Sequence, residues 1–266
     1  MTKKEKDNYG YSPLATPKKQ EDFKKIIKKH IEIIKSILNK HQWADQNYWY
    51  FDLNAGPGIH YDNKSGLKIG SPIIFLKEAM TKKLKSNVIL FENGKEGKEN
   101  CSSLLESIST LKIPSSFIKY TIHNESNDRF LRNYYRQIKA ISFGLVYHDP
   151  KGFPDFDLLS SIFRFGEHQR LDLMINCPCN TIKKTVYCSK CHETRKLNEL
   201  ISIIKKDYWL IREPCGPHQW SLIIGSNWNH FPKFKELGFL EKDSYEGQKL
   251  FEKLTFRAED IKNGKI

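Results

Sequence analysis

A strand that ends abruptly in a glycine turn is the feature that most constrains this fold. Residues 48–53 form an aromatic and aliphatic run with Asp52 near its end, and Gly56 and Gly58 follow with one residue between them. Glycine can adopt positive φ, and it has no side chain to keep a ligand away from the backbone. The pattern is typical of a buried strand followed by a ligand-binding loop, although an isolated G-x-G pair also occurs in ordinary turns.

A helix is predicted to begin shortly after this turn, at Gly70-Ser71-Pro72. Serine is a good N-cap, and proline suits the first helical turn because its missing N–H would have no partner there. The polar segment between Gly58 and Gly70 is longer than the usual strand-to-helix loop of about two to six residues. We therefore expect this segment to cover a ligand, and the helix N-terminus could face an anionic group.

Further apolar runs alternate with helical patterns along the chain. Strands are predicted near 87–92, 116–122, 141–148 and 171–176, and a closing hairpin near 208–212 and 219–225. The alternation predicts an α/β fold with a parallel sheet and helices on both faces, closed by an antiparallel pair. Glu92 ends the strand near 87–92, the second of the chain, where doubly wound folds place an acid that hydrogen-bonds ribose hydroxyls.

The bulk composition limits the class of protein and its partners. A chain of 266 residues has room for one large α/β domain with appendages, and the formal net charge of +13 favours a polyanionic partner such as nucleic acid, DNA or RNA. A generally Lys-rich composition would also produce this charge. No apolar run approaches the roughly 18 residues of a membrane span, and the N-terminus lacks a signal-peptide pattern, so we expect a cytoplasmic protein without membrane contact.

Three regions are predicted from the distribution of charge and periodicity. Residues 1–45 would form a basic arm followed, from Glu21, by an amphipathic helix; residues 46–228 would form the α/β domain; and residues 229–266 would form a basic tail with one helical piece. The lysine face of the first helix could lie on phosphates or on a membrane, whereas its apolar stripe would pack on the main domain.

The motifs together resemble those of the class I S-adenosylmethionine-dependent methyltransferases. The segment 51–58 is similar to their first motif, and Glu92 stands at the position of their ribose-binding acid. The resemblance implies a Rossmann-like seven-stranded sheet whose last strand is antiparallel, with S-adenosyl-L-methionine as cofactor. The residues that it implies for cofactor binding follow the first three strands: Asp52, Asn54, Gly56, Gly58, Ser71, Glu92, His123 and Asn124.

A narrower resemblance is to the three-Cys-motif partner proteins, a methyltransferase-like family. It rests on D-L-x-A-G-P-G at 52–58, G-S-P at 70–72 and D-P-x-G at 149–152. The resemblance to the class I superfamily implies a catalytic loop at Asp149 and Pro150, after the fourth strand, with Phe153 as a candidate for its aromatic ring. The loop is also similar to the D-P-P-Y motif of enzymes that methylate the amino group of adenine, where hydrogen-bond acceptors free the nitrogen lone pair and a ring stacks on the base.

The loop departs from that motif in two places. Lys151 replaces the second proline and Gly152 the aromatic residue, so that Phe153 or Tyr147 would have to supply the ring. The leading hypothesis is a nucleic-acid methyltransferase that acts on an exocyclic amino group. The alternatives are a plain turn at Asp149-Pro150 in a methyltransferase-like subunit without catalysis, which binds nucleic acid or a protein partner, and a methyltransferase for other substrates.

Four cysteines predict a structural zinc site. They form a C-x-C and a C-x-x-C pair within a short insertion at 177–195, and four thiolates can bind one Zn²⁺ tetrahedrally. These residues are Cys177, Cys179, Cys188 and Cys191. His192 or Cys215 could replace one of them, and Cys177 could instead point into the core from the end of its strand. Lysines around the site would make it a contact for nucleic acid.

Overall fold

The computed structural model describes residues 16–62, 66–92, 96–126, 134, 137–139, 141–164, 168–186, 196–214 and 220–255. The strands among these residues are β1 (Tyr48–Asp52), β2 (Ile59–Asp62), β3 (Gly66–Ile69), β4 (Ser86–Phe91), β5 (Ile118–His123), β6 (Phe143–His148), β7 (Leu171–Pro178), β8 (Tyr208–Arg212), β9 (Trp220–Ser226) and β10 (Phe239–Glu241). The helices are α1 (Thr16–Lys40), α2 (Ser71–Thr81), α3 (Gly97–Ser109), α4 (Phe156–Phe163), α5 (Cys179–Val186), α6 (Leu197–Ser202), α7 (Phe231–Phe234) and α8 (Tyr245–Thr255). The sequence pattern also predicts a helix over 128–140, most of which falls outside the described residues.

Eight strands form one sheet in the order β10-β8-β9-β7-β6-β1-β4-β5. Strand β1 is parallel to β4 and β6, β4 is parallel to β5, and β6 is parallel to β7. Strand β9 is antiparallel to both β7 and β8, between which it lies. The predicted α/β fold, a mostly parallel sheet closed by an antiparallel strand pair, is thereby confirmed, and β10 adds an edge strand antiparallel to β8 that the sequence patterns do not predict.

Alternating side chains of β1 explain why helices cover both faces of the sheet. Tyr48 and Tyr50 are buried in one apolar cluster with α1, α2 and α3, whereas Trp49 and Phe51 are buried in a second cluster with α4, α6 and α8. A strand that is buried on both faces reads as a continuous apolar run, as this one does. The glycine turn after β1 therefore extends from the middle of a rigid sheet.

Helix α1 packs on the sheet through the predicted apolar stripe. Phe23, Ile27 and Ile31 are buried, while Lys25 and Lys28 on the other face are exposed. The helix begins at Thr16 and not at Glu21, so it extends further toward the N-terminus than the sequence pattern predicts.

A buried polar cluster also anchors α1 to the sheet. His30 is hydrogen-bonded to Asp172 of β7 (2.9 Å) and to the Tyr48 hydroxyl (2.7 Å), and His230 is hydrogen-bonded to the same carboxylate (3.1 Å). Burial alone would raise the pKa of Asp172, but the hydrogen bonds from His230 and His30 outweigh it and hold the pKa below its usual value. The cluster fixes α1 relative to the strands.

Two segments differ from the sequence-based expectations. The sequence predicts a loop between Gly58 and Gly70, but this segment contains the hairpin of β2 and β3, which pair antiparallel from Ile59 with Ile69 to Asp62 with Gly66. The described part of the expected C-terminal tail packs on the sheet because its apolar residues are buried: Phe234, Phe239, Leu250, Phe251 and Leu254. Among the helices described, none has the length and apolar character needed to cross a bilayer.

Candidate functional site

The glycine turn lies at the carboxyl end of β1. The next strands of the main sheet, β4 and β5, lie on one side of β1, and the following strands, β6 and β7, lie on its other side. Gly56 and Gly58 have φ of +65° and +81°, a region that favours glycine. A Cβ on Gly58 would lie 2.9 Å from Leu104 Cδ1, so α3 packs directly against this residue. A Cβ on Gly56 would meet no atom of the described residues within 4 Å. The backbone of Gly56 therefore faces open space that a ligand can occupy.

Glu92 binds the glycine turn directly. The backbone N–H of Gly56 donates to Glu92 Oε2 (2.8 Å), and Asn100 Nδ2 on α3 donates to Oε1 (2.9 Å). A carboxylate has about four lone-pair positions, so each oxygen can accept a further hydrogen bond. The structure thus brings together two of the residues predicted to hold the cofactor, from the ends of the neighbouring strands β1 and β4.

Asp52 lies beneath the turn and holds it to α2. Its buried carboxylate accepts hydrogen bonds from Ser71 Oγ (2.6 Å), Tyr50 Oη (3.0 Å) and Asn54 N (3.1 Å). Burial raises the pKa of Asp52 to about 7 against these hydrogen bonds, which lower it. Ser71 does not act as the N-cap that the sequence predicts: Gly70 has that position, and the Ser71 hydroxyl binds Asp52 instead. As placed, Asp52 positions the turn without being exposed to a ligand.

The raised pKa of Asp52 predicts that stability falls as the pH rises. The folded state binds the proton up to about pH 7, whereas the unfolded chain releases it near the ordinary value of 3.8. The stabilisation is therefore complete below the unfolded pKa and is lost as the pH rises through the folded pKa. Between about pH 5 and about pH 8 we expect the free energy of unfolding to fall by about 2–3 kcal/mol more in the wild type than in Asp52→Asn. Urea denaturation of both proteins measures this difference, and equal pH dependences would contradict the assignment.

His123 and Asn124 lie at the carboxyl end of β5, next to Glu92. The backbone N–H of Glu92 donates to the carbonyl of His123 (2.9 Å), and the His123 ring stacks on Phe91 with centroids 5.1 Å apart. Burial lowers the pKa of His123, although Glu125 acts in the opposite direction. Burial therefore favours the neutral imidazole, which suits contact with an uncharged base.

Asp149 lies at the carboxyl end of β6 and is held in place from several sides. Its backbone N–H donates to Asn54 Oδ1 (3.2 Å), Asn176 Nδ2 donates to Oδ1 (2.7 Å), and Tyr147 Oη donates to Oδ2 (3.2 Å). Lys19 Nζ, in the first turn of α1, is 2.6 Å from Oδ1. Asn54 thus joins the glycine turn to the predicted catalytic loop. A substrate that binds the Asp149 carboxylate would have to displace the Lys19 ammonium or share the oxygen Oδ1 with it.

Sequence reasoning missed two of these groups and misjudged a third. Asn176 is a polar residue near the end of a buried strand, a signal that could have identified it, whereas nothing in the sequence singles out Lys19. Tyr147 is buried, so it cannot stack on a substrate as the sequence allows. Phe153 is partly exposed and packs against Phe156 at the start of α4, with ring centroids 5.5 Å apart. Phe153, which follows Pro150 in the predicted catalytic loop, is therefore the remaining candidate for the aromatic ring that stacks on a substrate.

The structure lends no support to the predicted zinc site. Cys177 and Cys179 are buried in the second apolar cluster, and burial raises the pKa of both thiols, that of Cys179 to about 12. Cys188 and Cys191 lie outside the described residues, as do His192 and Cys215. Within the described part of the chain, no three His, Cys, Asp or Glu side chains form a group that could hold a metal ion.

Comparisons with known proteins identify structural similarity only. No protein-family model and no curated protein matches the sequence. Protein LPL1258 from Legionella pneumophila superposes with a TM-score of 0.50 at 12% identity, covering 79% of this chain and 88% of the other. Methanococcus jannaschii fibrillarin, a pre-rRNA processing protein, superposes with a TM-score of 0.42 at 12% identity, covering 68% of this chain and 67% of the other. The METTL16 methyltransferase domain superposes with a TM-score of 0.43 at 10% identity, covering 75% of this chain and 66% of the other.

Proposed function

We propose that this chain is an S-adenosylmethionine-dependent methyltransferase that acts on nucleic acid. The observation that carries the proposal is the hydrogen bond from Gly56 N to Glu92 Oε2, which joins the glycine turn and a carboxylate at the carboxyl ends of β1 and β4, next to the boundary between β1 and β6 where the strand order reverses. Open α/β sheets bind their ligands at such switch points, outside the carboxyl ends of the strands.

The residues around this turn fit the proposed cofactor. The open space over Gly56 admits a ligand close to the backbone, and Glu92 has free lone pairs for two ribose hydroxyls. His123, whose neutral form burial favours, and the exposed Asn124 are polar side chains at the end of β5 that could contact the adenine. When bound, S-adenosylmethionine would supply an electrophilic methyl group on a sulfonium centre.

Asp149 is the proposed catalytic residue. Its carboxylate would accept a hydrogen bond from an amino group of the substrate and direct the nitrogen lone pair away from itself. This role requires an oriented acceptor and no strong base. Asn176 and Tyr147 hold the carboxylate in one orientation. Pro150 and Phe153 would form the loop over the substrate, with the Phe153 ring available for stacking on a flipped base. The exocyclic amino group of adenine is the proposed acceptor.

Charge supports nucleic acid as the substrate. The net charge is +13, and lysines on the exposed face of α1 lie on the same helix that brings Lys19 to Asp149. A basic surface beside the proposed catalytic carboxylate suits a phosphate backbone, whose binding would weaken with added salt.

Calorimetric titration with S-adenosylmethionine tests the cofactor site, and we expect saturable binding. In Glu92→Gln the dissociation constant should rise about tenfold, because a neutral amide oxygen makes weaker hydrogen bonds with ribose hydroxyls than a carboxylate does. Glu99→Gln, on the exposed side of α3, is the matched control and should leave the affinity unchanged. An absence of binding to the wild type would refute the methyltransferase proposal. Transfer of labelled methyl groups to DNA, RNA and protein pools then identifies the substrate.

The Lys19–Asp149 ion pair favours a second candidate function, a methyltransferase-like subunit without catalysis that binds nucleic acid or another protein. In this alternative Lys19 permanently occupies the carboxylate that a substrate would need. Cofactor binding without transfer to any pool would support it. A zinc ion at Cys177, Cys179, Cys188 and Cys191 remains a separate hypothesis that rests on spacing, and metal analysis of freshly purified, reduced protein tests it.

A further inference from the structure

A cavity of about 540 Å³ opens at the end of the sheet opposite to the glycine turn. It is formed where the chain enters β7 and β8 and leaves β9. The lining residues on which the inference depends are Arg170, Lys205, Lys206, Asp207, Asn227 and Trp228.

This cavity is separate from the proposed methyl-transfer site. Arg170 precedes the first residue of β7, whereas Asn176, which contacts Asp149, lies near the other end of the same strand. At about 3.3 Å per residue the two ends are roughly 20 Å apart. Ligands of open α/β sheets bind at the carboxyl ends of the strands, so a basic cavity at the amino ends requires its own explanation.

Arg170 lines this cavity and has one donor without a partner in the described structure. Its guanidinium lies over the Trp43 ring, 4.6 Å from the centroid, and 5.6 Å from the centroid of Phe143. Arg170 Nη1 is buried and has no hydrogen-bond partner among the described residues. A buried N–H without a partner is unfavourable, and the planar fork of arginine matches the oxygens of a phosphate. The stacking on Trp43 holds this fork in a fixed plane.

Two lysines add positive charge to the same cavity. Lys206 is 8% exposed, and its ammonium donates to the carbonyls of Leu171 (2.6 Å) and Gln169 (3.2 Å). Burial lowers the pKa of Lys206 to about 8, so the group is still mainly protonated at neutral pH. Lys205 is exposed, and Asp207 is the one acidic residue of the lining. The cations therefore outnumber the anions by three to one.

An exposed aromatic ring borders these cations. Trp228 is 41% exposed although it follows a buried strand, and its ring packs against Phe143 with centroids 6.0 Å apart. Its backbone N–H donates to Ser226 Oγ (3.0 Å), which fixes the start of the loop. An exposed indole that is supported from one side can stack with a base of any sequence.

We propose that this cavity binds a phosphorylated nucleoside, with the phosphate at Arg170 and Lys205 and the base stacked on Trp228. The Lys206 ammonium, held by two carbonyls and lying over the Phe163 ring, adds positive charge beneath the phosphate without contacting it. A free nucleotide and a nucleotide within a single strand share this chemistry. The inference does not depend on methyl transfer or on the cofactor site, since it uses none of their residues.

Tryptophan fluorescence of the full chain tests the proposal. The probes are uridine 5′-monophosphate and a uridine decanucleotide, which contain no adenine and so do not resemble the proposed cofactor. We expect saturable quenching that is largely lost in Trp228→Phe. In Lys205→Glu, an exposed position where the fold should be preserved, the dissociation constant should rise at least about tenfold. Lys98→Glu on α3 changes the net charge equally and should have little effect.

The outcomes distinguish a free nucleotide from a nucleotide within a single strand, and two of them would refute the proposal. Equal affinity for both probes would identify a free nucleotide as the ligand, and an affinity at least about tenfold higher for the decanucleotide would identify a single strand. Inorganic phosphate or uridine alone should bind more weakly than either probe. The proposal is overturned if neither probe binds, or if Lys98→Glu weakens binding as much as Lys205→Glu does.

Discussion

Replacing Asp149 by alanine is expected to lower the rate of methyl transfer by about 10³-fold while leaving the affinity for S-adenosylmethionine nearly unchanged. The carboxylate is held by Asn176, Tyr147 and the Lys19 ammonium, and it is the acceptor proposed to orient the substrate amino group. The cofactor contacts proposed for Gly56 and Glu92 use other atoms. The loss should therefore appear in the rate of the bound complex, measured by single-turnover transfer to the pool that the wild type methylates.

Asp157→Ala is the matched control for this variant. Asp157 is an exposed carboxylate in the first turn of α4, close in sequence to the catalytic loop. Its removal changes the net charge by the same amount, and we expect activity within about twofold of the wild type, as for most exposed positions. Full activity in Asp149→Ala would refute the catalytic assignment. An equal loss in Asp157→Ala would instead indicate that charge on this face, and not one carboxylate, supports transfer.

The fold could be predicted from the sequence because its strands are apolar on both faces. Each central strand is a short buried run that ends at a polar residue or a turn, and the order of these runs and helices limits the topology to few choices. The hairpin of β2 and β3 could not be predicted because its residues are mixed in polarity. Strand β10 is only three residues long, and its pairing with β8 is set by tertiary contacts.

The site could be predicted where it depends on strand ends, and not where it depends on distant contacts. Gly56 and Glu92 meet because the carboxyl ends of adjacent parallel strands lie at one edge of the sheet. Lys19 reaches Asp149 across 130 positions of sequence, through the packing angle of α1, which no local pattern encodes. The burial of Asp52 likewise follows from the closure of α2 over the turn, since the Ser71 hydroxyl covers a carboxylate that the motif alone would leave facing the ligand.

Gly58→Val is expected to destabilise the protein by about 3 kcal/mol and to weaken S-adenosylmethionine binding by about 100-fold or more. A residue with a Cβ is strained by about 1–2 kcal/mol at φ of +81°. The added side chain would also lie within 3.0 Å of Leu104 and Ser107, and overpacking of this kind costs about 1–3 kcal/mol.

The effect on binding follows from the bonds that Gly58 makes. Its carbonyl accepts the Gly70 N–H (2.6 Å), and the next N–H, of Ile59, donates to Ser107 Oγ (3.0 Å). Displacement of α3 would break these contacts and move the turn away from Glu92, which α3 holds through Asn100. Urea denaturation and calorimetric titration of the same preparation measure the two effects.

Gly66→Ala separates backbone strain from damage to the turn. Gly66 has φ of +73°, and within the part of the chain that the structure describes a Cβ there would meet no atom within 4 Å. This variant should therefore lose about 1–2 kcal/mol of stability from strain alone and retain its affinity for the cofactor. If Gly58→Val remained folded and bound S-adenosylmethionine like the wild type, the turn after β1 could not be the cofactor site. The contact between Gly56 and Glu92 would then only stabilise the edge of the sheet.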